Sequence, residues 1–153
     1  MSRAARALEA FDSGCNCSQA VLSAFGPDLG LDPDTCLRVA GGFGGGMARL
    51  GKTCGAVTGA VMVLGFIDIS GPDPEQAKES VYIRVRALFE RFQARHGSTC
   101  CRDLIAYDLS TTEGLAAART ERVFTTRCPL FVRTAVEVLE DLTGGVSLLK
   151  RPV

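Results

Sequence analysis

Neither sign of charge is in excess in this sequence: 17 Lys and Arg are offset by 17 Asp and Glu. Without a summed field of either sign, the chain has no footprint for nucleic acid or for an acidic membrane surface. Histidine is nearly absent, with His96 alone, which rules out an acid–base site built on several imidazoles and limits zinc ligation by histidine. Long apolar runs are missing too. The longest, Cys54 to Ile67, is interrupted by Thr58 and by small Gly and Ala positions and stops at Asp68, well short of the roughly 20 residues that span a bilayer. No membrane span is expected. The segment Met1 to Phe11 alternates Arg with Ala and Leu and lacks the apolar core and cleavage site of a secretory signal, so the expected location is cytoplasmic. Runs rich in β-branched residues, internal repeats, long linkers and a C-x-x-C-H motif are all absent, which argues against a sheet, a solenoid, several domains and covalent haem in turn. With 153 residues and 46% hydrophobic content, the chain reads as one domain over 1–153 with a single core.

What remains is a helical pattern punctuated by Pro and Gly. It predicts an all-α, compact bundle of about six to seven helices around a central Gly/Ala-rich helix, with no significant sheet. Arg3 to Phe11 forms a short amphipathic helix, and Asn16 caps a second from Cys17 to Phe25, ended by Gly26-Pro27. Asp32-Pro33 opens a helix that carries Cys36 and ends at Gly41-Gly42, where a glycine-rich loop, Gly41 to Gly46, begins. From Cys54 to Phe66, Gly51, Gly55 and Gly59 with Ala56 and Ala60 make a face that another backbone can approach closely. This is the expected central helix. The same face would serve a homodimer as easily as an intrachain contact.

Asp73-Pro74-Glu75-Gln76 supplies an N-cap, a first-turn proline and a capping-box glutamine for a long helix through Arg95, closed by Gly97. Its apolar stripe is Tyr82, Val85, Leu88, Phe89 and Phe92. Cys100 to Tyr107, capped by Ser98 or Thr99, and Thr112 to Phe124 follow as shorter helices. The last starts at Pro129, faces the core through Leu130, Phe131, Ala135, Val138, Leu139 and Leu142, and ends at Gly144-Gly145.

Seven cysteines are a heavy load for a chain of this length, and the number is odd. In a reducing compartment they point to metal, redox or catalytic use rather than to a disulfide framework. With these boundaries, Cys17, Cys54, Cys101 and Cys128 all fall at or within the first turn of a helix. Free N–H groups and the positive end of the helix dipole stabilise an anion there, so each thiol is expected to ionise more readily. Cys36, inside an amphipathic helix, reads as a packing residue. Cys15 with Cys17, and Cys100 with Cys101, are spaced too tightly for ordinary disulfides, so one of each pair acts and the other is auxiliary. His96, at the end of the long helix, reads as a cap for its C-terminal dipole.

Gly46-Met47-Ala48-Arg49-Leu50-Gly51-Lys52-Thr53 matches the G-x-x-x-x-G-K-T phosphate-loop pattern, and a helix follows. A phosphate loop also needs a buried strand before it and a downstream strand ending in Asp for magnesium. Neither is present, and Leu37-Arg38-Val39-Ala40 reads as helix, so nucleotide binding is not expected.

Taken together, Asn16-Cys17-Ser18-Gln19-Ala20-Val21, Gly41 to Gly51, Cys54-Gly55-Ala56-Val57-Thr58-Gly59-Ala60, Cys101-Arg102-Asp103-Leu104 and Cys128-Pro129 with Phe131-Val132 resemble the C_GCAxxG_C_C family of redox-active proteins. Thr53-Cys54-Gly55-Ala56 is not a literal Gly-Cys-Ala, and the register is set on the cysteine and Gly59. The resemblance implies an all-helical fold, a redox role and Cys17, Cys54, Cys101 and Cys128 as the functional set. Related domains in split-Soret cytochromes accompany haem and an iron–sulfur centre, which keeps a cluster open.

Three functions follow. The first is an iron–sulfur or other metal–thiolate electron-transfer centre with three or four of Cys17, Cys54, Cys101 and Cys128 as ligands. The second is metal-free thiol–disulfide chemistry, with a thiolate such as Cys54 attacking and Cys128 or Cys101 resolving. The third is a helical interaction domain with structural zinc or packing cysteines. The redox partner is unknown in each case.

Overall fold

The computed structural model describes residues 1–68 and 72–144. Among them every regular element is helical: α1 (Arg3–Asp12), α2 (Cys17–Phe25), α3 (Pro33–Val39), α4 (Gly55–Asp68), α5 (Pro74–His96), α6 (Cys101–Ile105), α7 (Thr112–Thr120), α8 (Val123–Thr126) and α9 (Cys128–Thr143), with 3-10 turns at Gly26–Leu29 and Gly41–Phe43. The all-α expectation holds. The Thr112 to Phe124 run divides in two: Arg122 adopts a left-handed φ of 56°, which ends α7 and restarts the chain as α8.

Local chemistry sets most of the boundaries. The Asn16 side chain accepts from the Gln19 N–H while Gln19 accepts from the Asn16 N–H, both at 2.9 Å, closing a capping box on α2. Asp32 accepts from Thr35 N–H at 2.9 Å to open α3, and Asp73 accepts from Glu75 N–H at 3.0 Å to open α5. Gly97 and Gly144 close α5 and α9 with φ of 83° and 69°. Gly145, the other expected stop residue, lies outside the described residues. The cap of α6 differs from expectation: Cys100 itself is the N-cap, and Ser98 accepts its N–H at 3.0 Å from outside the helix.

Helix α4 packs against α2, α5 and α9 and is the centre of the bundle. Its Ala56, Val57, Ala60, Val63 and Leu64 are fully buried, and each Val or Leu contributes about 1.5–3 kcal/mol by leaving water. The small-residue face meets α2. A Cβ on Gly59 would stand 2.7 Å from the Ser18 carbonyl oxygen, and one on Gly55 would stand 3.1 Å from the Cys17 Cβ. No side chain larger than hydrogen fits at Gly59 without moving α2.

Two apolar stripes differ from expectation. On α5 no residue before Leu88 is buried, and Tyr82 is 50% exposed, because the first turns of the helix do not reach the core. On α9 Leu130 is 54% exposed, while Val132 and Val136 are fully buried beside Phe131, Ala135 and Leu139. The buried arc of α9 is rotated toward residues 128, 132 and 136, at the i, i+4 spacing of one helix face. Among the described residues no helix is long and apolar enough to cross a membrane.

Candidate functional site

Each of the four helix-start cysteines occupies the position its sequence neighbours dictate. Cys17 follows the Asn16 cap as the first residue of α2, Cys101 begins α6, and Cys128 begins α9 with Pro129 behind it. Cys54 is one residue earlier in its helix: its carbonyl accepts from Val57 and Thr58 at 3.0 and 3.1 Å, so it is the N-cap of α4.

Two backbone features gather them. Gly55 lets the start of α4 lie against the start of α2, which sets Cys54 beside Cys17. Residues 51–54 then run alongside 99–102. The Cys54 N–H donates to Thr99 at 2.8 Å, the Cys101 N–H to Lys52 at 2.6 Å and the Arg102 N–H to Gly51 at 3.3 Å, around an antiparallel bridge between Thr53 and Cys100. This backbone clip fixes Cys101 next to Cys54. Cys100 points elsewhere, its thiol donating to the Gly51 carbonyl at 3.0 Å.

Cys17, Cys54, Cys101 and Cys128 line a single cavity of about 630 Å³, with half-buried Cys15 also on its wall. Its apolar side is formed by Phe11, Leu104, Phe124 and Phe131, and its charged side by Arg49 and Arg119. All seven cysteines are free thiols. Cys36 is not among those lining the cavity; it is 1% exposed, and its sulfur lies where a Cβ on Gly26 would be. That matches the packing role expected of it.

Ionisation separates the four. Burial pushes Cys54 up to about 12, although the Ala56 and Val57 N–H groups at the start of α4 act in the opposite direction. Burial likewise raises Cys101 to about 12, reinforced by Cys54, Cys128 and Cys100. Cys17 is raised well above its ordinary value because it gives its hydrogen bond to Cys128, and burial and the neighbouring thiols add to this. Cys128 alone is lowered. The Cys17 hydrogen bond outweighs its burial, and the Arg127 charge and its own backbone N–H act in the same direction. The expectation that every helix start favours thiolate therefore fails for Cys17, Cys54 and Cys101: loss of water costs the charged sulfur more than one helix end returns. Of the four, Cys128 rather than Cys54 is the thiol whose surroundings favour ionisation. One charge in the cluster opposes a second, so Cys128 ionises first and its neighbours stay protonated.

The glycine-rich loop covers one wall of the cavity in an unusual backbone. Gly45, Gly46, Met47, Ala48 and Arg49 all have left-handed φ, between 45° and 68°, although each non-glycine member costs about 1–2 kcal/mol there. Gly46 also abuts Cys101, where a Cβ would lie 2.7 Å from the Cys101 Cβ. The N–H groups of Met47, Ala48, Arg49, Leu50, Gly51 and Lys52 all donate to carbonyls of residues 42–47. They are therefore not free to cradle a phosphate, and the G-x-x-x-x-G-K-T match has no phosphate-loop geometry.

His96 lies at the end of α5 and is not among the residues lining the cavity. Its Nε2 bonds to the Thr134 hydroxyl at 2.8 Å, and its ring meets Phe131 edge-on at 5.0 Å, so it fastens α5 to α9 as well as ending its helix. Among the described residues no group of three or more His, Cys, Asp or Glu side chains is arranged to hold a metal ion. Sequence reasoning missed Arg49, Arg119 and Arg127. No local motif marks them, because the fold alone brings them to the cavity and to Cys128.

Residues 15–142 match the family described as "Putative redox-active protein (C_GCAxxG_C_C)". No curated protein and no solved structure matches the chain.

Proposed function

We propose, from the premise that the chain belongs to the C_GCAxxG_C_C family of redox-active proteins, that it carries out thiol–disulfide exchange with Cys128 as nucleophile and Cys17 as resolving thiol. The observation that carries this reading is that Cys17 and Cys128, the first residues of α2 and α9, line one cavity and act on each other's ionisation, with Cys128 lowered and Cys17 raised. Thiolate is the attacking species in exchange. Cys128 attacks one sulfur of a disulfide, a mixed disulfide forms and the first thiolate leaves. Cys17 then attacks the Cys128 sulfur and gives its proton to the second departing sulfur. The products are a Cys17–Cys128 disulfide and a reduced substrate, and the reverse sequence uses a thiol as reductant. Arg127, whose guanidinium also donates to the Ile105 carbonyl at 3.0 Å, is a fixed positive charge at the reacting sulfur.

Mild oxidation followed by thiol counting and peptide mapping tests this assignment. One dominant disulfide, joining the Cys17 and Cys128 peptides, is expected. Complete retention of free thiols, or a dominant disulfide between other residues, overturns it.

A metal–thiolate centre is the second reading, favoured by one observation: Cys17, Cys54, Cys101 and Cys128 share a cavity and are the soft donors that suit an iron–sulfur cluster. Against it, these thiols do not form a ligand group in their present arrangement, and no step is drawn through a metal. An absorption spectrum with iron and sulfide analysis on anaerobically prepared protein separates the two readings. Coloured protein containing iron and sulfide would replace the disulfide mechanism; colourless, iron-free protein after reconstitution would leave it standing.

A further inference from the structure

We infer that the substrate of this site is a small disulfide bearing carboxylate or similar anionic groups, an inference that rests on the thiol–disulfide reading above. Size is the first argument. Cys128 is only 6% exposed and is reached through a cavity of about 630 Å³, within the range of small-molecule sites. A small flexible disulfide can enter such a cavity whole, whereas a disulfide in the surface of a folded protein would have to leave its own packing to present a sulfur there.

Charge is the second argument. Apart from its thiols, the ionisable groups lining the cavity are Arg49 and Arg119, with no Asp or Glu among them. The two arginines are spare. Arg3, Arg6, Arg38, Arg95 and Arg102 all make ion pairs with carboxylates, but Arg49 and Arg119 have no ion pair or side-chain hydrogen bond among the described residues. Two unpaired guanidiniums at one cavity, in a protein of zero net charge, form a local positive field suited to carboxylates.

Backbone strain is the third. Arg49 is the last residue of the left-handed run and has φ of 66°. Strain of this kind persists where the surrounding structure over-determines it, and it concentrates at ligand clamps. Here it holds one of the two cationic residues at the thiol cavity. Arg49 and Arg119 are thus positioning residues: they hold the anionic ends of the disulfide while its sulfurs face Cys128. The exchange balances as before, with two electrons passing from the Cys17 and Cys128 sulfurs to the substrate, which leaves as two anionic thiols.

The test uses the reduced full chain and three small aliphatic disulfides that differ in charge: anionic dithiodipropionate, neutral hydroxyethyl disulfide and cationic cystamine. The rate of mixed-disulfide formation is followed by mass spectrometry, and each rate is divided by that of mercaptoethanol with the same disulfide. The anionic probe should be favoured over the cationic one by about tenfold or more at low salt, and added salt should shrink the ratio. In the Arg49→Gln/Arg119→Gln double variant the ratio should fall toward one. Equal normalised rates for all three probes on the unaltered protein would overturn the substrate assignment while leaving the exchange chemistry intact. Absence of reaction with every probe would instead overturn the exchange reading, and the substrate assignment with it. Because the three-probe comparison needs no variant, it decides even if the double variant does not fold.

Discussion

Cys17 and Cys128 open two different helices yet meet in one cavity, where their interaction lowers Cys128 while Cys17, Cys54 and Cys101 are raised. Helix position alone would have made them alike. Burial opposes ionisation at all four; at Cys128 a thiol donor, a guanidinium and a backbone N–H together overcome it.

Removing that donor should deactivate Cys128. In Cys17→Ala the Cys128 value rises, less thiolate is present near neutral pH, and alkylation of Cys128 by iodoacetamide should slow by about tenfold. Cys17→Ser keeps a hydroxyl donor and should retain much of the rate. Peptide-resolved alkylation against pH reads both variants; an unchanged profile in Cys17→Ala would show that the hydrogen bond does not set the reactivity.

Two glycines of α4 should respond to alanine in opposite ways. At Gly59 the new methyl would lie 2.7 Å from the Ser18 carbonyl oxygen, so Gly59→Ala should destabilise by about 2 kcal/mol. At Gly65 nothing lies within 4 Å, and Gly65→Ala should stabilise by about 1 kcal/mol through helix propensity. Urea unfolding of the pair measures the difference.

Burial, and then the Arg95 charge, hold His96 below its ordinary value of 6.5. Unfolding therefore takes up a proton between the folded value and 6.5, so the His96 contribution is complete above 6.5 and is lost as pH falls through that interval. Urea midpoints should drop between about pH 7.5 and about pH 5.5, and the drop should be smaller in His96→Gln. Equal slopes in both proteins would remove His96 as the cause.

The left-handed loop offers a stability test independent of the thiols. Ala48 has φ of 45°, and Ala48→Gly should stabilise by about 1 kcal/mol by relieving the clash of its Cβ with the backbone. A loss of stability would mean that the loop is not held in this conformation in solution.

Legibility in the sequence followed the range of the interactions. The boundaries at Asn16, Asp32, Asp73 and Gly97 depend on atoms within a few residues, and they appear where the sequence places them. The close approach at Gly59 was also legible, because a run of small residues on one helix face has few other uses; its partner, α2, was not. Tyr82 and Leu130 were misplaced because an apolar stripe gives the direction of burial but not where a helix leaves the core. Met47, Ala48 and Arg49 favour right-handed backbone on their own, so their left-handed run is imposed by the contacts around them. The ionisation order was the least legible feature. It depends on depth, and on Cys17 meeting Cys128 across nearly the whole chain.

The clip joining residues 51–54 to 99–102 has a consequence for the birth of the protein. Its two halves flank α5 in the chain, so it cannot close until that long helix and the start of α6 have been synthesised, and Cys128 arrives later still. A growing chain on the ribosome thus carries its early cysteines without the Cys17–Cys128 bond that prepares the thiolate. Completion of the fold thus works in opposite directions on the cluster: Cys128 gains its lowered value only then, while Cys17, Cys54 and Cys101, ordinary exposed thiols in the unfinished chain, are withdrawn from ionisation as they are buried.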